Sequence, residues 1–314
     1  MIDQSIQHRL NNPEVQDVFD HHQNRLRNLF SGVPPATPFV LNGIGTYTED
    51  AAVNWEQWLD ESLEYLAQHV EEACNREVFR PLTVNYNPYG VHFVDSLFGA
   101  QTFLLQGGWQ VHTLTSPVGT LEAPNLENSP TWQDVQQFAL KFLERDVTNV
   151  TLGLPTIASA LNIAVNLYGQ EILVALITEP EAALHDLRII NGVLCELHRW
   201  FLTHIPPTRY QCIIPEQRFQ LAGYGQLCGC TTQLISGNVY RTLVAPLDDE
   251  LLSLYPYGGM IHLCGTHTQH LDTWKSLTSF RAFQINDRAA EDLEAYFHGL
   301  RDDQIMYVNV FAGM

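Results

Sequence analysis

The sequence predicts an α/β fold: a TIM-type (β/α)8 barrel preceded by a short helical extension. Short buried strands alternate with amphipathic helices along most of the 314 residues, a pattern typical of a mostly parallel sheet. The length suits one large barrel, for which about 250 residues is typical, and 45% hydrophobic residues can form a sizeable core. We therefore predict residues 1–34 as a helical extension and residues 35–314 as a single barrel domain.

Seven segments are predicted as barrel strands, because each is a short apolar run bounded by turn residues. In chain order they are 38–43, 81–87, 149–154, 219–226, 260–264, 280–285 and 305–310. Seven strands are one short of a closed eightfold barrel. Either the pattern misses one strand, or the barrel is incomplete at its C-terminus. Residues 101–121 are predicted as a hairpin or an excursion beyond the end of the second strand.

Helices are predicted between these strands from apolar residues at helical spacing. They are 1–30, 54–74, 131–144, 157–177, 179–204, 238–255, 269–277 and 288–300. Segment 157–177 has about the length of a membrane span, but its polar residues favour a buried helix instead. Pro246 is expected to kink or split the helix over 238–255, because proline lacks the N–H group that a helix interior needs.

Composition excludes several classes of function. The net charge is −19, and Lys141 and Lys275 are the only lysines, so the chain lacks the broad basic surface that nucleic acid requires. Residues 1–4 are polar and no apolar run reaches the ~20 residues of a membrane span, so we expect a cytoplasmic protein without membrane partners. Six irregularly spaced cysteines in a long chain predict reduced thiols.

The segment 258–267 carries the strongest chemical signal. A glycine pair leads into an apolar run that ends on His262-Leu263-Cys264. Residues i and i+2 of a strand share a face, so His262 and Cys264 are predicted to project together at a strand end. Imidazole and thiolate are zinc ligands, although a zinc site needs a third protein ligand. The alternative is a buried strand with a packed cysteine.

Several further segments, in this order and spacing, resemble the uroporphyrinogen decarboxylase-like superfamily. They are Gly153-Leu154-Pro155-Thr156, Tyr168-Gly169-Gln170-Glu171 with Glu179-Pro180-Glu181, Leu234-Ile235-Ser236 with Val244-Ala245-Pro246, and Ile261-His262-Leu263-Cys264-Gly265. The superfamily includes the decarboxylase of haem synthesis and zinc-dependent methyltransferases that act on methylated corrinoid proteins. The resemblance covers roughly residues 35–310 and implies a TIM-type barrel with its site at the carboxyl ends of the strands.

The decarboxylase branch is the weaker match. Its members carry an Arg-Gln-Ala-Gly-Arg segment after the first strand, where this chain reads Leu41-Asn42-Gly43-Ile44-Gly45-Thr46. They also place an aspartate at the end of the second strand, where this chain aligns Gly90. A porphyrinogen carries many carboxylates, which need pocket arginines when they are buried.

The methyltransferase branch uses His-x-Cys plus a cysteine near the C-terminus. His262 and Cys264 match the first two ligands, but Cys264 is the last cysteine of the chain. Cys230 is predicted as the third metal ligand, with Cys228 or, less favourably, His267 as substitutes. The resemblance thus implies zinc-dependent methyl transfer between a methylated corrinoid, such as methylcobalamin, and a thiol. The alternatives are a decarboxylase for a porphyrinogen or related carboxylated substrate, and a non-catalytic barrel that binds a tetrapyrrole, a corrinoid or a protein partner.

Six further residues at predicted strand ends are assigned to the mouth of the barrel. Asn87, Tyr89 and Asp287 are predicted as catalytic residues, and Asn42, His92 and Tyr224 as cofactor-binding residues. Two of these have a structural alternative: His92 as a buried structural histidine, and Asp287 as the N-cap of the following helix. The expected partners are a small thiol or tetrapyrrole and a corrinoid protein. A second copy of the chain would be a further partner if a final strand leaves an edge uncovered.

Overall fold

The structure, a computed structural model, describes residues 4–46, 54–211 and 215–309. These residues form two compact units. The first comprises Met1–Phe93, Leu126–Thr156 and Phe201–Ala222, and the second comprises Val94–Asn125, Ile157–Trp200 and Gly223–Met314. The division into an extension and one barrel domain stays a prediction.

The strands are short, as expected for buried parallel strands. In chain order they are β1 Val40–Leu41, β2 Ile44–Thr46, β3 Val78–Phe79, β4 Leu82–Asn85, β5 Thr102–Leu105, β6 Gly108–Val111, β7 Val150–Gly153, β8 Tyr210–Gln211, β9 Gly225–Cys228, β10 Gly259–Cys264, β11 Phe280–Asn286 and β12 Ile305–Val308.

Each unit contains one four-stranded parallel sheet. The strand order is β2-β4-β7-β8 in the first unit and β9-β10-β11-β12 in the second. Strands β1 and β3 form a small parallel pair in the first unit, and β5 and β6 form an antiparallel hairpin in the second. The predicted α/β class with parallel sheets is confirmed, and the predicted hairpin within 101–121 is present. Closure of the sheets into one barrel stays a prediction.

Three strand predictions were wrong in detail. The pattern missed β8, because two residues, Tyr210 and Gln211, are too few to show any periodicity. With β8, the two sheets contain eight strands within the described residues rather than seven. The strand predicted over 38–43 is present only as the two-residue β1, which pairs with β3, and the four-stranded sheet begins instead with Ile44–Thr46. The strand predicted over 219–226 lies later, at Gly225–Cys228.

The helices largely follow the predicted segments. They are α1 Gln4–Leu10, α2 Pro13–Phe30, α3 Trp55–Gln68, α4 Phe93–Leu97, α5 Pro130–Glu144, α6 Ala160–Tyr168, α7 Gln170–Thr178, α8 Pro180–His204, α9 Pro215–Arg218, α10 Gly237–Val239, α11 Ala245–Leu252, α12 Leu271–Ser276 and α13 Leu293–Gly299. Short 3-10 helices cover Val70–Cys74, Gly90–His92, Leu126–Asn128, Cys230–Leu234, Thr268–His270 and Asp287–Asp292.

Two predicted helices are interrupted for identifiable reasons. Gly169 has a φ of 62°, which ends α6 and lets α7 leave at an angle of 113°. Within the described residues no single helix is long and apolar enough to span a membrane. Only the combined length and composition of this bent pair would reach that of a membrane span. The helix over 238–255 contains a π-helical turn, Tyr240–Val244, directly before Pro246. There the Ala245 N–H donates to the carbonyl of Tyr240, five residues back.

Near the carboxyl ends of β10 and β11, the alternation along the strands places apolar and polar side chains on opposite faces of the sheet. Ile261 and Leu263 on β10, and Phe283 and Ile285 on β11, are fully buried. Phe283 lies against Trp274 of α12, with 5.3 Å between the ring centroids, so this face packs on the helices. The intervening residues, His262, Cys264, Gln284 and Asn286, therefore share the opposite face of the sheet.

Candidate metal centre

Strand register brings polar residues side by side at the carboxyl ends of the second unit's strands. On β10 and β11, His262 pairs with Gln284, and Cys264 pairs with Asn286. On the other side, His262 pairs with Cys228 of β9. Paired residues of parallel strands project from the same face, so these side chains form rows across the sheet.

A Cys–His–Cys group that could hold a metal lies at the end of these rows. One ligand atom from each of Cys230, His262 and Cys264 lies within 4.8 Å of the other two. His262 Nε2 lies 3.2 Å from Cys264 Sγ. His262 is buried, whereas Cys230 and Cys264 are partly exposed. Two thiols and an imidazole are ligand types that suit zinc, and three protein ligands leave a fourth position open.

Hydrogen bonds from the backbone of the loop after β9 hold this loop in place, so that Cys230 lies close to Cys264. The Gly229 N–H donates to the His262 carbonyl at 2.9 Å, and the Thr231 N–H donates to Asn162 Oδ1 at 3.0 Å. A Cβ at Gly229 would lie 2.5 Å from Ile261 Cδ1, so a larger residue here would have to displace the Ile261 side chain of β10. The sequence analysis named Cys230 as the third ligand beside two substitutes, and the pairing of β9 with β10 is what brings Cys230 to Cys264.

His267 supports the ligand loops instead of acting as a ligand. Its Nδ1 lies 2.9 Å from Thr232 Oγ1, and its Nε2 lies 2.8 Å from the Cys264 carbonyl oxygen. Both ring nitrogens are therefore engaged, and burial lowers the pKa of His267 to about 4. The suggestion that His267 substitutes for a metal ligand was wrong. Its neighbour His270 lies 2.9 Å from the Thr232 carbonyl oxygen and holds the same loop.

The two thiols of the group have unequal acidity. A hydrogen bond between Cys230 and Cys264, with a further hydrogen bond from the Asn286 amide, holds the pKa of Cys264 well below its usual range. The same hydrogen bond, together with burial, raises the pKa of Cys230. The arrangement thus favours a thiolate on Cys264, the form that binds a metal.

Asp287 lies beside this group. It follows β11 directly, has a left-handed φ of 46° and is exposed. Partial desolvation and the neighbouring Cys264 sulfur raise the pKa of Asp287. The N-cap of the following 3-10 helix is Asn286, and no side-chain capping hydrogen bond is present. The alternative that Asp287 caps this helix was therefore wrong, and its catalytic role stays a prediction.

Tyr224 was predicted as a cofactor-binding residue from a misplaced strand. It precedes β9, so it lies at the amino end of this strand, whereas Cys230 follows the carboxyl end. Its ring centroid is 5.5 Å from that of Tyr257, and partial burial raises the pKa of Tyr224. The correction follows from the strand boundary, because the strand begins at Gly225 and not at residue 219, which places Tyr224 before the strand instead of near its end.

The remaining predicted site residues lie in the first unit. Asn42 is exposed and follows β1 directly, so it lies at a strand end as predicted, but β1 belongs to the small two-stranded sheet and not to the four-stranded one. Asn87 is buried, and its amide joins the segments after β4 and β7. Its Nδ2 donates to Thr156 Oγ1 at 2.9 Å, and its Oδ1 accepts from the Thr156 N–H at 2.8 Å. The backbone of Tyr89 adopts the left-handed conformation, with a φ of 62°, and the side chain of His92 is buried. The functional roles of these four residues stay predictions.

Sequence reasoning did not anticipate that side chains of β11 contact the two ligands of β10. Gln284 Oε1 is hydrogen-bonded to His262 Nδ1. Asn286 Nδ2 lies 3.6 Å from Cys264 Sγ, and Asn309 Nδ2 donates to Asn286 Oδ1 at 2.9 Å. The available signal was the alternation of Gln284 and Asn286 with Phe283 and Ile285 in an otherwise buried strand.

Comparisons with known proteins identify the fold but no family. No protein-family model matches this sequence, and no curated protein matches it. Among solved structures, a methyltransferase from Methanosarcina mazei is similar to this chain, with a TM-score of 0.60 and 13% sequence identity. The alignment covers 91% of this chain and 82% of that chain. At this identity the similarity shows a shared fold, and function has to be argued from the site.

Proposed function

We propose that this protein is a zinc-dependent methyltransferase that moves a methyl group from a methylated corrinoid to a thiol. The observation that carries the proposal is the convergence of Cys230, His262 and Cys264, whose ligand atoms lie within 4.8 Å of one another. The fold shared with a methyltransferase supports the reaction class coarsely. The resemblance of the sequence to the uroporphyrinogen decarboxylase-like superfamily supports the choice of donor.

The donor set fits zinc better than a hard cation. Magnesium and calcium prefer oxygen ligands, whereas this group offers two sulfurs and one nitrogen. A structural zinc site is usually closed by four protein ligands, and a catalytic one keeps an open position. Three ligands, of which the two cysteines are partly exposed, favour the catalytic type.

Zinc held by these residues would act as a Lewis acid that lowers the pKa of a bound thiol, which makes the thiol a better nucleophile at neutral pH. The chain itself supplies the orientation of the ligands through His267 and the loop after β9. In the transfer, a carbon–sulfur bond forms and the cobalt–carbon bond breaks. The electron pair of the broken bond stays on cobalt, and the thiol proton leaves to solvent.

The first test is the metal content of the purified protein. We expect about one zinc per chain in the wild type, and loss of zinc in Cys230→Ser and in the double variant His262→Ala/Cys264→Ser. Cys74→Ser is the matched control, because Cys74 is a partly exposed free cysteine that does not belong to the group. Equal metal content in all four proteins would refute the site.

The second test is the reaction. Wild-type protein mixed with methylcobalamin and a panel of thiols is expected to change the visible spectrum of the cobalt, and to form the corresponding methyl thioether. Cys264→Ser is expected to leave the spectrum unchanged. Wild-type protein that binds zinc but demethylates no corrinoid with any thiol would refute the donor and acceptor, while leaving the metal site in place.

A further inference from the structure

We propose that Gln284 and Asn286, two residues apart on β11, are positioning residues for the two ligands on β10. Gln284 sets the tautomer of His262 so that Nε2 is free to bind a metal, and Asn286 orients the sulfur of Cys264. The role of these two residues rests on the proposed metal site. The hydrogen bonds that define their positions are made within this chain and do not require a metal.

The first half of the inference comes from the two ring nitrogens of His262. Nδ1 faces Gln284 Oε1, and an amide oxygen can only accept, so Nδ1 carries the proton. Nε2 then keeps its lone pair, and it is Nε2 that faces Cys264 Sγ at 3.2 Å. A ligating histidine commonly donates its other N–H to an acceptor that fixes its tautomer and ring orientation.

The second half comes from the adjacent row. Asn286 Nδ2 lies 3.6 Å from Cys264 Sγ and donates toward the sulfur. The amide of Asn286 is itself held, because its Oδ1 accepts from Asn309 Nδ2 at 2.9 Å. Asn309 is anchored in turn by its backbone N–H, which donates to the Ile285 carbonyl at 3.2 Å. One N–H of the Asn286 amide thus points to the Cys264 sulfur, and the hydrogen bond from Asn309 restricts the rotation of this amide.

Stability does not explain Gln284. The residue is fully buried, and its Nε2 has no hydrogen-bond partner among the described residues. A buried N–H group without a partner opposes folding, and an apolar residue of similar shape would avoid this cost. Ala282, one row below on the same strand, shows that an apolar residue is accommodated on this face. The hydrogen bond to His262 is the contact that accounts for a glutamine here.

The test compares Gln284→Met, which keeps the shape of the side chain but removes the acceptor, with Gln284→Glu, which keeps an acceptor. We expect Gln284→Met to bind zinc about 10- to 100-fold more weakly, measured by competition with a chromophoric chelator, and Gln284→Glu to be closer to wild type. Gln226→Met is the matched control. Gln226 is also buried on this face of the sheet, but it pairs with Met260, below the ligands.

Thermal unfolding separates positioning from structure. If Gln284 only packed the core, Gln284→Met would change zinc affinity and melting temperature together. We expect the zinc-free variant to melt at or above the wild-type temperature while its zinc affinity falls. Zinc affinity within twofold of wild type in Gln284→Met, or an equal loss in Gln226→Met, would overturn the inference.

A second measurement uses zinc-free protein, so it also holds if the proposed function fails. Nitrogen-15 NMR of the histidine rings, with the His262 signals identified by their loss in His262→Ala, is expected to show His262 protonated on Nδ1 in the wild type and a mixture of tautomers in Gln284→Met. The Nε2–H tautomer in the wild type would overturn the inference. Absence of zinc from the wild type, together with the Nδ1–H tautomer, would refute the metal function and leave the positioning intact.

Asn286 is tested by the electronic spectrum of cobalt-substituted protein. Loss of one N–H donor to a metal-bound thiolate shifts the thiolate-to-cobalt charge-transfer band, because the donor withdraws charge from the sulfur. Asn286→Leu and Asn309→Ala are expected to shift this band in the same direction. The shift in Asn309→Ala should be smaller, because Asn286 is still present there and loses only the hydrogen bond that holds its amide. An unchanged band in both variants would overturn the role of this row.

Discussion

His262 and Cys264 illustrate how far a single strand determines a site. Their common orientation follows from the two-residue repeat of a β-strand, and the structure places Nε2 and Sγ 3.2 Å apart. The third member of the group, Cys230, is 34 residues away from Cys264 in sequence and meets it only through the pairing of β9 with β10. Local spacing determines which side chains share a face, and pairing determines which faces meet.

Another residue-scale feature is the buried carboxyl group of Asp248 in α11. Tyr240 Oη donates to Asp248 Oδ2 at 3.0 Å, and Trp274 Nε1 donates to Tyr240 Oη at 2.8 Å. The neighbouring Asp249 adds a like charge that raises the pKa of Asp248 further, and Asp249 accepts a hydrogen bond from Ser279. Burial raises the pKa of Asp248 to about 7, and the Tyr240 hydroxyl opposes this shift only in part.

This carboxyl group predicts a pH dependence of stability. In the unfolded chain an aspartate has a pKa of about 3.9, so between about pH 4 and 7 the folded state holds a proton that the unfolded state has released. The free energy of unfolding therefore falls as the pH rises through this window. Asp248→Asn keeps an oxygen acceptor for Tyr240 and cannot ionise, so it should lack this loss.

Urea unfolding at pH 5 and pH 8 measures the effect. We expect the wild type to lose at least about 1 kcal/mol more than Asp248→Asn over this range, since one pKa unit corresponds to about 1.4 kcal/mol. Asp249→Asn is the control, because Asp249 is only partly buried. Parallel pH profiles for the wild type and Asp248→Asn would show that this carboxyl group does not titrate in that window.

At the scale of elements, the turn into β10 depends on Gly258. Its φ is +71°, a conformation that costs other residues about 1–2 kcal/mol. A Cβ there would also lie 2.2 Å from the backbone oxygen of Ser279, which cannot move aside as a flexible side chain would. Gly258→Ala is therefore expected to lower the free energy of unfolding by about 2 kcal/mol or more, measured in urea.

Gly192 provides the opposite case in the same unit. It lies within α8, is exposed, and an added Cβ would meet nothing within 4 Å. Gly192→Ala should raise stability by about 0.5–1 kcal/mol, because glycine lowers helix stability by this amount relative to alanine. A loss of stability in Gly192→Ala would contradict the described helix, and a neutral Gly258→Ala would contradict the described turn.

Element boundaries were the least predictable part of the fold. Helix segments with several apolar turns were predicted well, as α5 and α8 show. The two-residue strand β8 has no periodicity to detect, and the shift of β9 by a few residues moved Tyr224 from the predicted site to the opposite strand end. Short strands take their boundaries from neighbouring strands, so composition alone cannot locate them.

At the scale of the whole molecule, the metal group links segments that are distant in sequence. Its ligands follow β9 and end β10, and all of them belong to the second unit. A ligand that binds only the folded state stabilises it, by about 4 kcal/mol at a thousandfold excess over its dissociation constant. Zinc is therefore expected to raise the melting temperature of the wild type by several degrees.

Calorimetry with zinc or with a chelator measures this shift. Cys264→Ser should melt at the same temperature under both conditions, and Cys74→Ser should respond like the wild type. If the two units unfold separately, zinc should shift only the transition of the second unit. Equal shifts in the wild type and Cys264→Ser would indicate zinc binding elsewhere on this acidic chain, whose net charge is −19.

The sequence by itself determined the α/β class, most helices, and the common face of His262 and Cys264, because each of these follows from periodicity within one segment. The sequence also named Cys230 as the third ligand, from its place after the preceding strand, but left Cys228 and His267 as substitutes. Tertiary structure decided that Cys230 joins them, that His267 supports the loops, and that Gln284 and Asn286 contact the ligands. It also placed Tyr224 before β9 instead of at the carboxyl end of a strand. The physical reason is register: hydrogen bonding between strands far apart in sequence selects which rows align, and no local pattern encodes that choice.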